Sequence, residues 1–277
     1  MKKLKIGFQG EHGAFSEQAV FKHFGPSVET VPSRSIREVF NLTEVGAIDS
    51  GVVPVENSIE GSISETYDML LTSSVKVVGE VAVRVVHCLI ALPSAKLSDI
   101  KVIYSHPQAL AQCRNFVAGL GAEPRVAYDT AGSVKMIKDE GLLEDGAIAS
   151  EKAAEIYGMK ILKKGIEDYG RNFTRFLVIS KNEGKRTMAS KTSVIFSVPH
   201  TPGSLYNVLE VFAKAGINLT KIESRPTRQR PWEYYFFVDI EGHHKDKEIA
   251  RAFAEIATKT VFLKVLGSYP RLKEELV

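Results

Sequence analysis

The order in which strand-forming and helix-forming segments alternate changes near residue 181, and this change limits the possible folds more than any single motif. Before it, short apolar strands pass repeatedly into helices. Residues 4–9 lead through Gly10-Glu11-His12-Gly13 into a helix expected to start at Ser16, with Ser16 as its cap and Glu17 in the first turn. Residues 51–55 precede a helical pattern over 64–71, with Tyr67, Leu70 and Leu71 on one side. Residues 75–90 are rich in β-branched side chains. Residues 102–104 pass through Ser105-His106-Pro107 into a helix, 125–128 through Asp129-Thr130, and 146–150 into 151–157; residues 176–180 close the region as a strand. This alternation predicts open α/β sheets, and polar groups at a strand-to-helix handover are where such sheets bind ligands.

Residues 182–191 are polar and lack apolar periodicity, so they are the expected linker. After them the order becomes strand (192–198), helix (204–214, ended by Gly216), strands (217–223 and 234–240), helix (246–258) and strand (261–266). This β-α-β-β-α-β order predicts a ferredoxin-like α+β domain over 192–270, with both helices on one face of an antiparallel sheet.

A chain of 277 residues accommodates two domains. Its 36 basic and 33 acidic side chains are interspersed with no basic block, which argues against nucleic acid as a partner. No apolar run approaches the roughly 18–20 residues of a membrane span, and the apolar N-terminal stretch breaks at Gly7, Gln9 and Gly10, so no membrane partner and a cytoplasmic location are expected. Cys88 and Cys113 lack CxxC spacing, and the scattered histidines form no ligand pattern, so no metal is expected.

Five segments carry possible chemistry. Glu56, Asn57 and Ser58 follow a buried strand beside Gly61, in a pattern that also fits a plain turn. Ser105-His106-Pro107-Gln108 fits either an ordinary helix start or free N–H groups that hold a carboxylate. Gly170-Arg171-Asn172-Phe173-Thr174-Arg175-Phe176 packs two guanidinium groups, an amide and a hydroxyl among aromatics, which favours an anion site. In the second domain, Thr201-Pro202-Gly203-Ser204-Leu205 and Glu223-Ser224-Arg225-Pro226 fit turn chemistry and a surface ion pair by spacing alone.

Together these segments resemble prephenate dehydratases along essentially the whole chain. The resemblance rests on the glycine turn 10–16, Val53-Pro54-Val55-Glu56-Asn57-Ser58, Ser105-His106-Pro107-Gln108-Ala109-Leu110 and Asn172-Phe173-Thr174-Arg175-Phe176. The C-terminal part resembles the ACT regulatory domain of the same family, through Pro202-Gly203-Ser204-Leu205, residues 218–226 and residues 232–239. The glycine turn also resembles that of plant-type arogenate dehydratases, which act on the amino-acid analogue. A non-catalytic amino-acid-binding regulator is the alternative from another class, and it would have no use for Thr174.

The resemblance implies a catalytic domain over 1–181, built as two lobes like a type II periplasmic binding protein, with the second lobe at about 80–165. It implies decarboxylating dehydration of prephenate to phenylpyruvate without a cofactor. Thr174, Arg175 and Phe176 are the implied catalytic group. Glu56, Asn57, Ser58, Ser105, His106, Gln108, Thr130, Ala131, Ser133, Asn172 and Phe173 are the implied substrate-binding residues. Phenylalanine is the implied effector, held near Gly203, Ser204, Leu205, Asn218, Leu219, Glu223, Ser224, Arg225 and Pro226 where two subunits of a homodimer or homotetramer meet. No long helical extension precedes the first strand, so a separate enzyme is expected instead of a chorismate mutase fusion.

Overall fold

The computed structural model describes residues 3–228 and 232–272. The chain forms two compact units. One contains the residues up to Met69 together with Val81–Leu177, and the other contains Leu70–Glu80 together with the chain from Val178 onward.

The first unit has two α/β lobes. The first lobe is built from β1 (Lys5–Gln9), α1 (Phe15–Phe24), β2 (Glu29–Ser33), α2 (Ile36–Val45), β3 (Ser50–Asn57), the short β4 (Gly61–Ser62), α3 (Ser64–Thr72) and β5 (Lys76–Arg84). The second contains β6 (Cys88–Ala91), β7 (Val102–Ser105), α4 (Pro107–Gln112), α5 (Arg114–Leu120), β8 (Glu123–Val126), α6 (Thr130–Glu140), β9 (Asp145–Ala149), α7 (Glu151–Tyr157) and β10 (Lys160–Lys164). The chain then returns to the first sheet as β11 (Phe173–Ser180), giving the order β2-β1-β3-β11-β5 with β4 on β3. The second sheet runs β10-β6-β9-β7-β8, and its core packs Leu89, Ile103, Cys113 and Ile148. The end of α3, the first half of β5 and the end of β11 fall within the second unit.

Helix α1 departs from the sequence expectation. Its N-cap is Ala14, which has no side-chain acceptor, and Ser16 lies one position inside the helix, buried and without a capping bond. Ser16 therefore does not cap the helix. The turn before it is tied up by Glu17, whose carboxylate accepts from the Gly13 N–H at 2.7 Å and the Thr30 hydroxyl at 2.8 Å. With these backbone groups fixed, the chain enters the helix two residues earlier than a serine cap would require.

The second unit holds β12 (Ser190–Ser197), α8 (Ser204–Lys214), β13 (Leu219–Pro226), β14 (Tyr234–Glu241), α9 (Lys247–Ala257) and β15 (Phe262–Pro270). The order β13-β14-β12-β15 is antiparallel at every pairing, which is the expected ferredoxin-like sheet. Ile249, Ala252, Phe253 and Ile256 recur at helical spacing on α9 and join Val194, Phe196, Val208 and Phe212 in one core.

Segment 70–80 belongs to this unit through polar anchors. The Lys264 ammonium donates to the carbonyls of Leu70 and Leu71, both at 2.9 Å, and of Ser73 at 2.6 Å, where a cation complements the end of α3. Lys191 pairs with the fully buried Glu80 at 2.8 Å. Lys264→Met keeps the aliphatic stem but removes three charge-assisted donors. It is expected to lower unfolding stability by about 2 kcal/mol, read as a reduced denaturant midpoint at unchanged slope.

Candidate active site

A cleft of about 710 Å³, counted to its open mouth, lies between the two lobes of the first unit. The first lobe contributes Gln9, the start of α1, Pro54 and Asn57 from β3, and Thr174 and Phe176 from β11. The second lobe contributes His106, Gln108 and Gln112 around α4, and Asp129 and Thr130 at the start of α6. β11 begins at Phe173, earlier than the expected 176, so Thr174 and Phe176 alternate onto one face and both reach the cleft. Arg175 points to the other face and pairs with Glu56 at 3.0 Å.

A chain of amides runs along the cleft wall. The Asn57 carbonyl oxygen accepts from the backbone N–H groups of Ile59 at 2.9 Å and Glu60 at 3.0 Å, which fixes the direction of its amide. Its NH₂ therefore donates to Asn172 Oδ1 at 2.7 Å and to Thr174 Oγ1 at 3.0 Å. Asn172 in turn donates to Gln112 Oε1 at 2.8 Å, and the same oxygen lies 2.9 Å from His87 Nε2. Because that oxygen only accepts, His87 must carry its proton on Nε2. Thr174 already accepts from Asn57, so its own O–H proton is directed elsewhere and remains available to a bound molecule.

The remaining expected substrate residues support the wall without lining it. The Ser58 N–H donates to the Phe173 carbonyl at 2.8 Å and the Ser58 hydroxyl to the Arg171 carbonyl at 3.0 Å, and the Phe173 N–H donates to the Ser58 hydroxyl at 2.9 Å. Ser105 is buried and donates to the Ile148 carbonyl at 2.6 Å, joining β7 to β9. Ala131 is fully buried, and Ser133 donates to the Asp129 carbonyl within α6 at 2.8 Å. Among the expected residues, then, Asn57, His106, Gln108, Thr130, Thr174 and Phe176 meet in the cleft. Asn172 stands directly behind them.

Several lining residues are absent from the expected site residues, notably Gln9, Phe15, Ser16, His87 and Gln112. Gln112 lies four residues beyond Gln108 on the motif helix, and this helical spacing was the one signal that pointed to it. The cleft contains no lysine or arginine among its lining residues. Burial holds the pKa values of His87 and His106 below the usual imidazole range, so both are neutral at neutral pH. Burial also raises the Asp129 carboxyl, opposed by its bonds from the Gly132 N–H at 2.9 Å and the Glu11 N–H at 3.2 Å. An anion in this cleft would be held by neutral donors and backbone dipoles. Among the described residues no three potential metal ligands converge, and no helix is long and apolar enough to cross a membrane.

In the second unit, Gly203 caps α8 in the left-handed conformation, and Ser204 and Leu205 open the helix. Asn218 and Leu219 lie beyond the other end of α8, whose 11 residues rise about 16 Å. Glu223, Ser224, Arg225 and Pro226 lie along β13, at the edge of the sheet. The two ends of α8 in one chain therefore cannot enclose one small ligand.

A family model for prephenate dehydratase matches residues 6–184, and one for the ACT domain matches 192–258. A bifunctional chorismate mutase/prephenate dehydratase of Aquifex aeolicus (strain VF5) is 46% identical over 275 residues, covering 98% of this chain and 74% of the relative. Arogenate dehydratase/prephenate dehydratase 1 of Arabidopsis thaliana is 40% identical over 284 residues, covering 97% and 72%. The solved prephenate dehydratase of Arthrobacter aurescens in complex with L-Phe superposes with a TM-score of 0.88 at 32% identity, covering 97% of this chain and 90% of that one. A solved structure described as a novel type of quorum quenching acylase matches at a TM-score of 0.86 and 34% identity, covering 97% and 98%. The fold by itself does not select a reaction.

Proposed function

The chain belongs to the prephenate dehydratase family, and from that premise we propose that Thr174 donates a hydrogen bond to the departing ring hydroxyl while the amide chain behind it sets the direction of that donation. The enzyme converts prephenate to phenylpyruvate, carbon dioxide and water. The bond from the ring to its carboxylate breaks, and that electron pair completes the aromatic ring. The bond to the hydroxyl breaks with its pair on oxygen, which takes up a proton to leave as water. The observation that carries this reading is the Asn57–Thr174 bond, which turns the threonine proton outward.

Neutral His106 is a weaker candidate for this donation. Its Nδ1 accepts from the Gln108 N–H at 3.3 Å, and burial disfavours the imidazolium that would make it a strong acid. Thr174 is a poor acid too, but a preorganised donor has only to stabilise the charge that develops on oxygen. Phe176 excludes water, and the Arg175–Glu56 pair braces the strand from the other side.

In this reading phenylalanine is the effector, bound at the four-stranded sheet of the second unit. The separation of residues 203–205 from 218–219 favours a site completed by a second copy of the chain, and therefore a homodimer or a dimer of such dimers. Inhibition requires that phenylalanine prefer the inactive state, because equal affinity for both states would shift nothing.

Parallel assays of phenylpyruvate formation from prephenate and phenylalanine formation from arogenate test the substrate. The expected result is faster turnover of prephenate, lowered by added phenylalanine. The side-chain amine of arogenate puts a cation where prephenate has a carbonyl, and the lining offers it only the Asp129 carboxylate, already engaged by backbone N–H groups. Preferred turnover of arogenate would reassign the substrate. Inactivity on both would favour a binding protein.

A further inference from the structure

We propose that the N-terminus of α1, together with the Ser16 hydroxyl, holds the side-chain carboxylate of the substrate, the one that survives into phenylpyruvate; this rests on the substrate assigned above. Helix α1 has 10 residues, and its N-cap, Ala14, cannot satisfy the first N–H groups. Among the described residues no acceptor takes the N–H of Phe15 or Ser16. Ser16 is only 7% exposed and lines the cleft, and among the described residues no hydrogen bond engages its hydroxyl. A second unpartnered polar atom, the buried Nδ1 of His87, belongs to the same lining. By contrast α2, α6 and α7 are each closed by a side-chain cap, from Ser35, Asp129 and Ser150.

Two carboxylates nearby are already engaged. Glu17 accepts from Gly13 and Thr30 and lies 2.7 Å from His12 Nδ1, and Asp129 accepts from Glu11 and Gly132. With no lysine or arginine among the lining residues, the start of α1 is the strongest unsatisfied donor group on the first lobe. The chemistry decides which carboxylate it serves. Donors on the ring carboxylate would stabilise a charge that must vanish as carbon dioxide forms, and so would oppose the reaction. Donors on the side-chain carboxylate act equally before, during and after the step.

Two variants test this, with prephenate turnover and competitive inhibition by phenylpyruvate measured on the full-length protein. Ser16→Ala is expected to raise the KM for prephenate and the inhibition constant for phenylpyruvate by the same factor, about 10-fold, with kcat nearly unchanged. Ala14→Ser supplies a cap of the kind that Ser35, Asp129 and Ser150 provide, taking the third N–H of the helix, and sets a hydroxyl oxygen against the ligand carboxylate. It is expected to raise the melting temperature while weakening both ligands, a combination that misfolding cannot produce. Phenylpyruvate inhibition within twofold of wild type in both variants, whatever happens to KM, would overturn the proposal. Wild-type inactivity on prephenate would instead overturn the substrate assignment beneath it.

Discussion

Thr174→Ala is expected to lower kcat on prephenate by about 10²- to 10³-fold while KM changes by less than about threefold. The hydroxyl matters only as the carbon–oxygen bond breaks, so its loss appears in the chemical step and not in ground-state binding. Thr174→Ser should retain most of the rate, because Asn57 still donates to the remaining oxygen and turns its proton outward. Asn57→Leu should come close to the alanine variant without touching the threonine, since it removes the amide that orients Thr174 and leaves Asn172 Oδ1 without its donor. Stopped-flow measurement of phenylpyruvate formation checks all three variants. A Thr174→Ala enzyme within fivefold of wild type would exclude the threonine from the departing hydroxyl.

Gly13→Ala is expected to lower unfolding stability by about 3 kcal/mol or more and to reduce activity with it. Gly13 has φ +91°, where an added Cβ is strained, and that Cβ would lie 2.7 Å from the Ala153 Cα and 3.0 Å from its nitrogen. Both are backbone atoms at the start of α7, so no rotamer relieves the clash. The neighbouring contacts have little freedom either: Ser150 donates to the Gly13 carbonyl at 2.6 Å, and Tyr128 donates to Glu11 at 2.7 Å across the same lobe interface. Moving the turn would also shift the start of α1, which lines the cleft. Urea unfolding followed by circular dichroism gives the stability, and a loss below about 1 kcal/mol would show that the turn adapts.

Much of this architecture is legible in the sequence because its local and global signals agree. The ferredoxin-like unit follows from its β-α-β-β-α-β order, and residues 102–104, 125–128 and 146–150 each contain or overlap a strand that leads toward a helix. Two first-lobe elements lie outside the expected pattern. β2 contains Pro32, tolerated because the strand is at the sheet edge, whereas α2 is legible in the sequence, with Ile36, Val39, Phe40 and Thr43 at helical spacing between the Ser35 cap and Gly46. β10 is lysine-rich, as suits another edge. At the site, motif residues and lining residues diverge. Ser105 and Ser133 resemble ligand groups in sequence but spend their hydroxyls on the fold, whereas His87 lies in a β-branched stretch and reaches the cleft only through the pairing of distant segments. The misread start of α1 has the same origin: Ser16 is the best local cap, and Glu17, bonded to Gly13 and to Thr30 on the neighbouring strand, overrides it.

The assignment of residues 70–80 to the second unit bears on how this protein can be dissected. A fragment beginning after Ser180 would keep all six named elements of the ferredoxin-like sheet and still be a truncated module. Lys264 would lose three carbonyl partners, and Lys191 would lose the buried carboxylate of Glu80. Grafting the sensory half onto another enzyme therefore requires carrying along a piece of sequence about a hundred residues upstream. The same dependence makes exchange of that half between paralogues by simple end-to-end recombination a destabilising event, so catalytic and regulatory sequences are under pressure to be inherited as one block.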